Sequence, residues 1–331
     1  MSAEDVYRAF PILRFPQALG AGLRPGVLLL AAAFLVVLTP LVGAMISSGV
    51  SFVEFYRLEK PEESDLFAPI PGDSRQLLPG GGLPQTFWFA VSCGVSQIPR
   101  LNGDAAIYGF IATLVFSVFQ VASARILGVY FCRGQSCSVL KAVRESGLQW
   151  SSVVSGLVLT VVLMGVTVLV ARFLLPLMGP LKSWEVVSSS LEYTIDGIAL
   201  LILSVLLVAY LLGLAGIGID GISGTEAISR GLSYCLSNPI RMLLYAFALM
   251  FVTRIAALLT GSFLLVAYKA FSDPAQRLAT WNNAPFFPVE VIRMSLFSCG
   301  ISWMYLQLRE QTDGTAIGEM RAGAGNHMPR V

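Results

Sequence analysis

Charged residues are scarce in this chain: Asp, Glu, Lys and Arg make up 13% of its 331 residues, while 55% are hydrophobic. Soluble domains carry about 25% charged residues, so the chain has roughly half the charge that covers a water-facing surface. Lys and Arg number 22 against 20 Asp and Glu, which leaves no basic excess for nucleic acid. These shortages exclude a soluble enzyme, a disordered chain and a nucleic-acid-binding protein, and they indicate a multi-pass membrane protein.

Residues for acid–base and metal chemistry are also scarce. The single histidine, His327, lies near the C-terminus, and five cysteines at positions 93, 132, 137, 235 and 299 form no CxxC pair. Hydrolytic, metal and proton-relay sites commonly use histidine, and unpaired cysteines of this kind are typical of small apolar residues. The sequence therefore predicts no enzymatic activity, no metal site and no cofactor.

Six hydrophobic stretches have the roughly 20 residues that a helix needs to cross a bilayer. They occupy 25–48, 105–131, 151–178, 194–219, 240–270 and 287–308. We therefore predict an all-α integral membrane protein with six transmembrane helices in three hairpins.

Basic residues distinguish the two sides of the membrane. Twelve of the 22 Lys and Arg residues fall in or beside segments 1–24, 132–150, 220–239 and 309–331, against seven in or beside 49–104, 179–193 and 271–286. Positive charge favours the cytoplasmic side. The first set of segments, with both termini, is therefore predicted to be cytoplasmic, and the second set forms the outer loops.

Aromatic clusters mark two of the outer loops. Phe87, Trp88 and Phe89 follow a stretch rich in proline and glycine, and Trp281 begins a similar cluster in the third outer loop. Aromatic side chains of this kind sit at the headgroup level, so we interpret them as interfacial anchors. The alternative for the first loop is a lid or a partner-docking element.

Three predicted cytoplasmic segments resemble one another, at 17–23, 141–148 and 226–232. Each has a polar residue, alanine, an aliphatic residue, a short polar stretch and then Gly-Leu, and a hydrophobic span follows. This pattern predicts a short amphipathic helix in the cytoplasmic interface before each hairpin. The three hairpins would then run in a common direction, as parallel repeats.

A glycine-rich run at 216–221 matches the GxGxxG pattern of dinucleotide-binding proteins. That fingerprint has to follow a β-strand and open a helix, whereas here it ends a predicted membrane span. We interpret these glycines as residues that let the helix pack closely on a neighbour and then turn.

Charges inside the spans are the candidate functional residues. Arg172, Arg254 and Arg293 lie within predicted spans, and Glu290 and Asp196 are their possible ion-pair partners. Arginine near the bilayer centre is costly, so it should face protein, water or an acid. The three arginines either line a polar cavity that takes an anion or a lipid headgroup, or snorkel and brace helices.

Three stretches resemble a bacterial family of multi-pass membrane proteins. Residues 220–239 (DGISGTEAISRGLSYCLSNP) are similar to its EG-x-D-x-x-DA-x-SR-x-x-SY…P pattern, and 305–315 (YLQLREQTDGT) to its closing YLLLR-x-x-x-DGT. Residues 15–19 and 28–30 resemble its opening, while 223–225 replace its acidic stretch and the first outer loop differs in length. The resemblance implies a six-span inner-membrane protein with both termini inside, and it implies no particular activity.

Two functions are therefore expected for a chain embedded in the bacterial inner membrane. The first is a non-enzymatic scaffold or accessory subunit of an envelope membrane complex, in contact with other membrane subunits or with copies of itself. The second is a transporter or lipid-handling protein for an anionic solute or a phospholipid.

Overall fold

A computed structural model describes residues 18–47, 103–177, 185–271, 287–315 and 317. These ranges contain a short 3₁₀ helix, Gly20–Leu23, and eight α-helices, with no β-strand. The α-helices are α1 Pro25–Ser47, α2 Gly103–Arg133, α3 Val139–Leu148, α4 Trp150–Leu177, α5 Glu185–Asp220, α6 Gly224–Ser237, α7 Pro239–Phe271 and α8 Phe287–Asp313. The prediction of an all-α chain is confirmed for this part of the protein.

Four of the described helices are long and apolar enough to cross a membrane: α2, α4, α5 and α7. Helix α1 contributes a shorter apolar stretch, Pro25–Leu38. Polar residues interrupt the apolar sequence of α8. They include Ser295, Ser298 and Ser302, and all three are buried. The chain is thus a membrane protein by the character of its helices, with four spans supported by length and composition.

The helices fall into an inner and an outer set. Inner helices α2, α5 and α8 pack against one another, and each outer helix packs on its hairpin partner, in the pairs α1–α2, α4–α5 and α7–α8. Within the apolar windows, 67% of α5 and 56% of α2 are buried, against 22% of α4 and of α7. Helices α4 and α7 expose large apolar side chains such as Leu169, Phe247 and Phe263, as lipid-facing helices do.

The three segments of the sequence repeat lie at matching places in the bundle. Helix α3 packs on α2, α6 packs on α5, and the 3₁₀ helix packs on α8. Their shared alanines, Ala18, Ala142 and Ala227, are all buried. A linking segment and the hairpin that follows it form one unit: the 3₁₀ helix with α1 and α2, α3 with α4 and α5, and α6 with α7 and α8. Helices α3 and α6 each lie on the inner helix of the preceding unit, and the 3₁₀ helix packs on α8, the inner helix of the last unit, which closes a ring.

Hydrogen bonds hold the ring closed between the first and the third unit. The Ser295 hydroxyl donates to the carbonyl of Gly22, and the Cys299 thiol lies 3.1 Å from the carbonyl oxygen of Ala18. A Cβ added to Gly22 would lie 3.0 Å from the Cβ of Cys299. The glycine of the repeat is therefore needed here for close contact.

A left-handed glycine follows each inner helix, at Gly134, Gly221 and Gly314, with φ of 66°, 67° and 67°. Glycine adopts this conformation without the steric cost that a Cβ brings, and it commonly ends helices. The three units therefore share a helix stop as well as a linking segment.

The interpretation of the run at 216–221 agrees with the packing. A Cβ on Gly218 would lie 2.5 Å from the carbonyl oxygen of Val121, and one on Gly216 would lie 3.0 Å from the Tyr305 ring. These glycines let α5 approach α2 and α8, and Gly221 then turns the chain.

Candidate functional site at the ends of the inner helices

The predicted arginines occupy different environments. Arg172 is exposed on α4, which packs mainly on α5 and α6, while Arg254 is half-buried on α7 and Arg293 is buried on α8. Gly300 contacts Leu249 and Gly261 lies beside Val289. Arg254 and Arg293 therefore lie between the same two contacts of the α7–α8 hairpin, whereas Arg172 belongs to another hairpin.

Of the two predicted acidic partners, the structure brings one to an arginine. Arg293 Nη1 donates to Glu290 Oε1 at 3.0 Å, and the two side chains are 8% and 17% exposed. The spacing of three residues puts them on the same face of α8. Asp196 is exposed on α5. The proposed anchors Phe87, Trp88, Phe89 and Trp281 lie outside the described residues.

Among the described residues, the most deeply buried charges are Asp220 and Arg309, which both fall in predicted cytoplasmic segments. Asp220 is the last residue of α5, and Arg309 lies in the last two turns of α8. Arg309 Nη1 donates to Asp220 Oδ1 at 2.5 Å, and both side chains are fully buried. Burying a charge is costly unless it is paired and hydrogen-bonded, so this pair fixes the contact between α5 and α8.

Tyr305 completes the coordination of Asp220. Its hydroxyl donates to Asp220 Oδ2 at 2.6 Å. Tyr305 and Arg309 are four residues apart on α8 and therefore share a face of the helix. Because both carboxylate oxygens accept hydrogen bonds from buried protein donors, the arrangement suits a structural lock between helices.

A second layer of polar contacts joins α6 and α7 to the end of α8. The Tyr234 hydroxyl donates to Asp313 Oδ2 at 2.8 Å, and its ring centroid lies 5.8 Å from that of Tyr305. Asn238 Nδ2 donates to Thr312 Oγ1 at 3.3 Å. Burial, helped by the hydrogen bond to Asp313, raises the pKa of Tyr234 and keeps it protonated. The third unit is thus closed at the same end of the bundle as Asp220.

The first unit is tied to the same end by Arg125 and Cys132. Arg125 Nε donates to Glu145 Oε2 at 2.7 Å, which joins α2 to α3, and its Nη1 lies 3.4 Å from the carbonyl oxygen of Ile219. The Cys132 thiol lies 3.0 Å from the carbonyl oxygen of Ile317, beyond the end of α8. All three inner helices therefore contribute polar contacts where they end.

The buried polar cluster could not be found by counting charges per segment, because Asp220 and Arg309 are boundary residues of predicted spans. One signal was present: Tyr305 and Arg309 are both in the stretch that resembles the closing family motif. Among the described residues, no group of three or more His, Cys, Asp or Glu side chains is placed to hold a metal ion. The cluster joins helices and leaves neither carboxylate oxygen of Asp220 without a protein donor.

No protein-family model matches this chain, and none of the curated proteins or solved structures matches it either. The resemblance to a six-span family stays a prediction from the three sequence stretches that carry it.

Proposed function

We propose that the chain is a non-enzymatic multi-pass component of the bacterial inner membrane, acting as a scaffold or accessory subunit of an envelope complex. The observation that carries this proposal is that these buried charges are paired with other groups of the protein. Asp220 is engaged by Arg309 and Tyr305, and Arg293 is engaged by Glu290. The first pair joins α5 to α8 and the second lies within α8. Charged groups that are paired with one another in this way favour a rigid framework over a site that exchanges a substrate.

We further propose six spans with both termini in the cytoplasm. Helix α1 has 23 residues and α8 has 27, and at 1.5 Å per residue even 23 residues reach about 35 Å, enough for a hydrocarbon core of about 30 Å. Each packs along a helix of membrane-spanning character: α1 packs on α2, and α8 packs on α7. The polar side chains of α8 meet protein rather than lipid, which explains why this span is not uniformly apolar.

The linking helix α3 offers a surface for a partner subunit or for the membrane surface. Leu140 and Leu148 are 81% and 79% exposed, and Lys141 and Arg144 are exposed beside them. Ala142 and Ser146 face the protein and are buried. A helix with one buried face and a mixed apolar and basic outer face suits contact with an acidic surface.

The alternative is a transporter or lipid-handling protein that uses Arg172, Arg254 and Arg293. The exposure of Arg172 on α4 favours it. The ion pair of Arg293 with Glu290 weighs against it, because an anion would have to displace a carboxylate that is already bound.

Native mass spectrometry of the protein released gently from its own membrane tests the proposal. We expect a stoichiometric protein partner or a second copy of the chain, lost in Arg144→Glu on α3 and retained in Arg172→Gln on α4. A lone chain that holds a soluble anion, lost in Arg172→Gln or Arg254→Gln, would contradict the scaffold role and support transport.

A further inference from the structure

One residue precedes the outer helix in each unit, and its side chain reaches the end of that unit's inner helix. Asn238, before α7, donates to Thr312 of α8. Gln149, before α4, places its Nε2 3.3 Å from the position of a Cβ on Gly221, beyond α5. Arg24, before α1, lies over the Tyr130 ring of α2, with its guanidinium carbon 3.4 Å from the ring centroid. At this position the second and third units thus have a neutral amide side chain, whereas the first unit has a cationic one.

The first unit also has a cavity at this place. It measures about 350 Å³ and opens beside the N-terminus of α1; its lining includes Arg24, Gly26, Ile126, Tyr130, Gln135 and Ser136. The corresponding place in the second unit is closed by direct packing of α6 on α4, where a Cβ on Gly224 would lie 2.6 Å from the backbone nitrogen of Gly156. The chain between α2 and α3 runs over 134–138, whereas that between α5 and α6 runs only over 221–223. The longer connection leaves room that the shorter one does not.

Charge around the cavity favours an anion. Arg24 is half-buried, and no carboxylate among the described residues forms an ion pair with it. Arg133 is exposed and lies three residues after Tyr130, on the same side of α2. The nearby acid Glu145 is already paired with Arg125. Gln135 and Ser136 add polar groups at the mouth.

We propose that this cavity, the Arg24 pocket, binds the phosphate of an acidic phospholipid. Guanidinium groups bind phosphate oxygens through paired hydrogen bonds, and basic pockets between membrane helices suit acidic headgroups. Ile126 and the Tyr130 ring make the wall largely apolar, and Leu23, which precedes Arg24, and Leu29, further along α1, are 49% and 65% exposed. A lipid can therefore place its glycerol and acyl chains along α1 while its phosphate meets Arg24, which a soluble phosphate cannot do. The inference rests on α1 lying in the bilayer and is independent of the scaffold role.

The test is a lipid titration of the purified full chain, followed by native mass spectrometry. Phosphatidylglycerol is the probe and phosphatidylcholine is the comparison. Arg24→Gln introduces the amide found at Gln149, and we expect it to weaken phosphatidylglycerol binding about tenfold or more, because the paired hydrogen bonds and the charge are lost. Arg24→Lys should keep most of the binding. Arg241→Gln, at the exposed start of α7, should leave it unchanged.

A second pair of variants protects the test against misfolding. Ser136 is exposed at the pocket mouth, so Ser136→Glu should fold normally and repel the phosphate, while the neutral Ser136→Gln should not. Equal binding of phosphatidylglycerol by wild type, Arg24→Gln and Ser136→Glu would overturn the proposal. Displacement of the lipid by a large excess of glycerol phosphate would overturn its assignment to a phospholipid, and equal binding of phosphatidylcholine would overturn the preference for an acidic headgroup.

Discussion

Asp220 and Arg309 lie 89 residues apart in the sequence and meet as a fully buried ion pair, with Arg309 Nη1 2.5 Å from Asp220 Oδ1. They join the inner helix of the second unit to that of the third. Tyr305 takes the other carboxylate oxygen, so the carboxylate is held on both sides. The loss of either partner would be costly, because the remaining charge would be buried away from water without its ion-pair partner.

Removing one member of this pair should destabilise the protein strongly. We expect Asp220→Asn and Arg309→Gln each to lower the free energy of unfolding by about 3–5 kcal/mol, because the remaining group is left unsatisfied. Tyr305→Phe should cost about 1–3 kcal/mol, since it removes one hydrogen bond to a buried carboxylate. Melting temperatures in mild detergent measure all three.

The matched control is the Arg230–Glu226 pair on α6, whose side chains are 22% and 45% exposed. Arg230→Gln should cost no more than about 1 kcal/mol. If Arg309→Gln melts at the same temperature as Arg230→Gln, the buried pair does not lock α5 to α8.

Two glycines at equivalent places in the repeat should respond oppositely to alanine. Gly231 on α6 lies against α5, where a Cβ would come within 3.0 Å of the Ala209 Cα and closer still to its carbonyl. Gly147 on α3 has nothing within 4 Å of such a Cβ. Gly231→Ala should therefore push α6 off α5 and lower the melting temperature.

Gly147→Ala should leave stability unchanged or raise it by about 0.5–1 kcal/mol, because alanine favours the helix. Melting curves of the two variants side by side make the comparison. A loss of stability in Gly147→Ala equal to that in Gly231→Ala would mean that α3 packs as tightly as α6.

Alkaline pH should weaken the fold partly through Cys235. Burial raises the pKa of this thiol to about 12, whereas a thiol in an unfolded chain titrates near about 8.5. The neutral thiol of the folded state therefore contributes full stability below pH ~8.5, and this contribution is lost as the pH rises toward about 12. At pH 10.5 the loss attributable to Cys235 is on the order of 3 kcal/mol.

Melting temperatures between pH 7.5 and 10.5 test this dependence. Cys235→Ser should flatten it, because serine does not titrate in this range, and the half-buried Cys137 changed to serine should leave most of it in place. Parallel curves for wild type and Cys235→Ser would contradict the account of Cys235.

The long apolar stretches predicted the helical character of the chain. Helices α2, α4 and α7 include most of the predicted spans 105–131, 151–178 and 240–270. Helix α5 also includes the more polar residues from Glu185 to 193, ahead of the predicted span 194–219, since a helix can continue through a segment that is not itself apolar enough for the bilayer.

The buried polar cluster and the ring of three units could not be predicted from the hydropathy of the sequence. The Asp220–Arg309 contact depends on which inner helices meet, and hydropathy carries no information about that. The shared helix stops at Gly134, Gly221 and Gly314 were hidden because the connections that follow differ in length. The repeat of linking segments was visible in sequence, but only the packing of Gly22 on α8 revealed that it closes.

Sided thiol labelling tests the six-span arrangement most directly. Three variants each keep one reactive thiol: native Cys93 in the predicted first outer loop, native Cys137 after α2, or Ala3→Cys in the N-terminal arm. An impermeant maleimide applied to intact spheroplasts should label Cys93, and should reach Cys137 and position 3 only after permeabilisation. If position 3 labels from outside together with Cys93, α1 does not cross the membrane, and the bundle of three spanning hairpins is wrong.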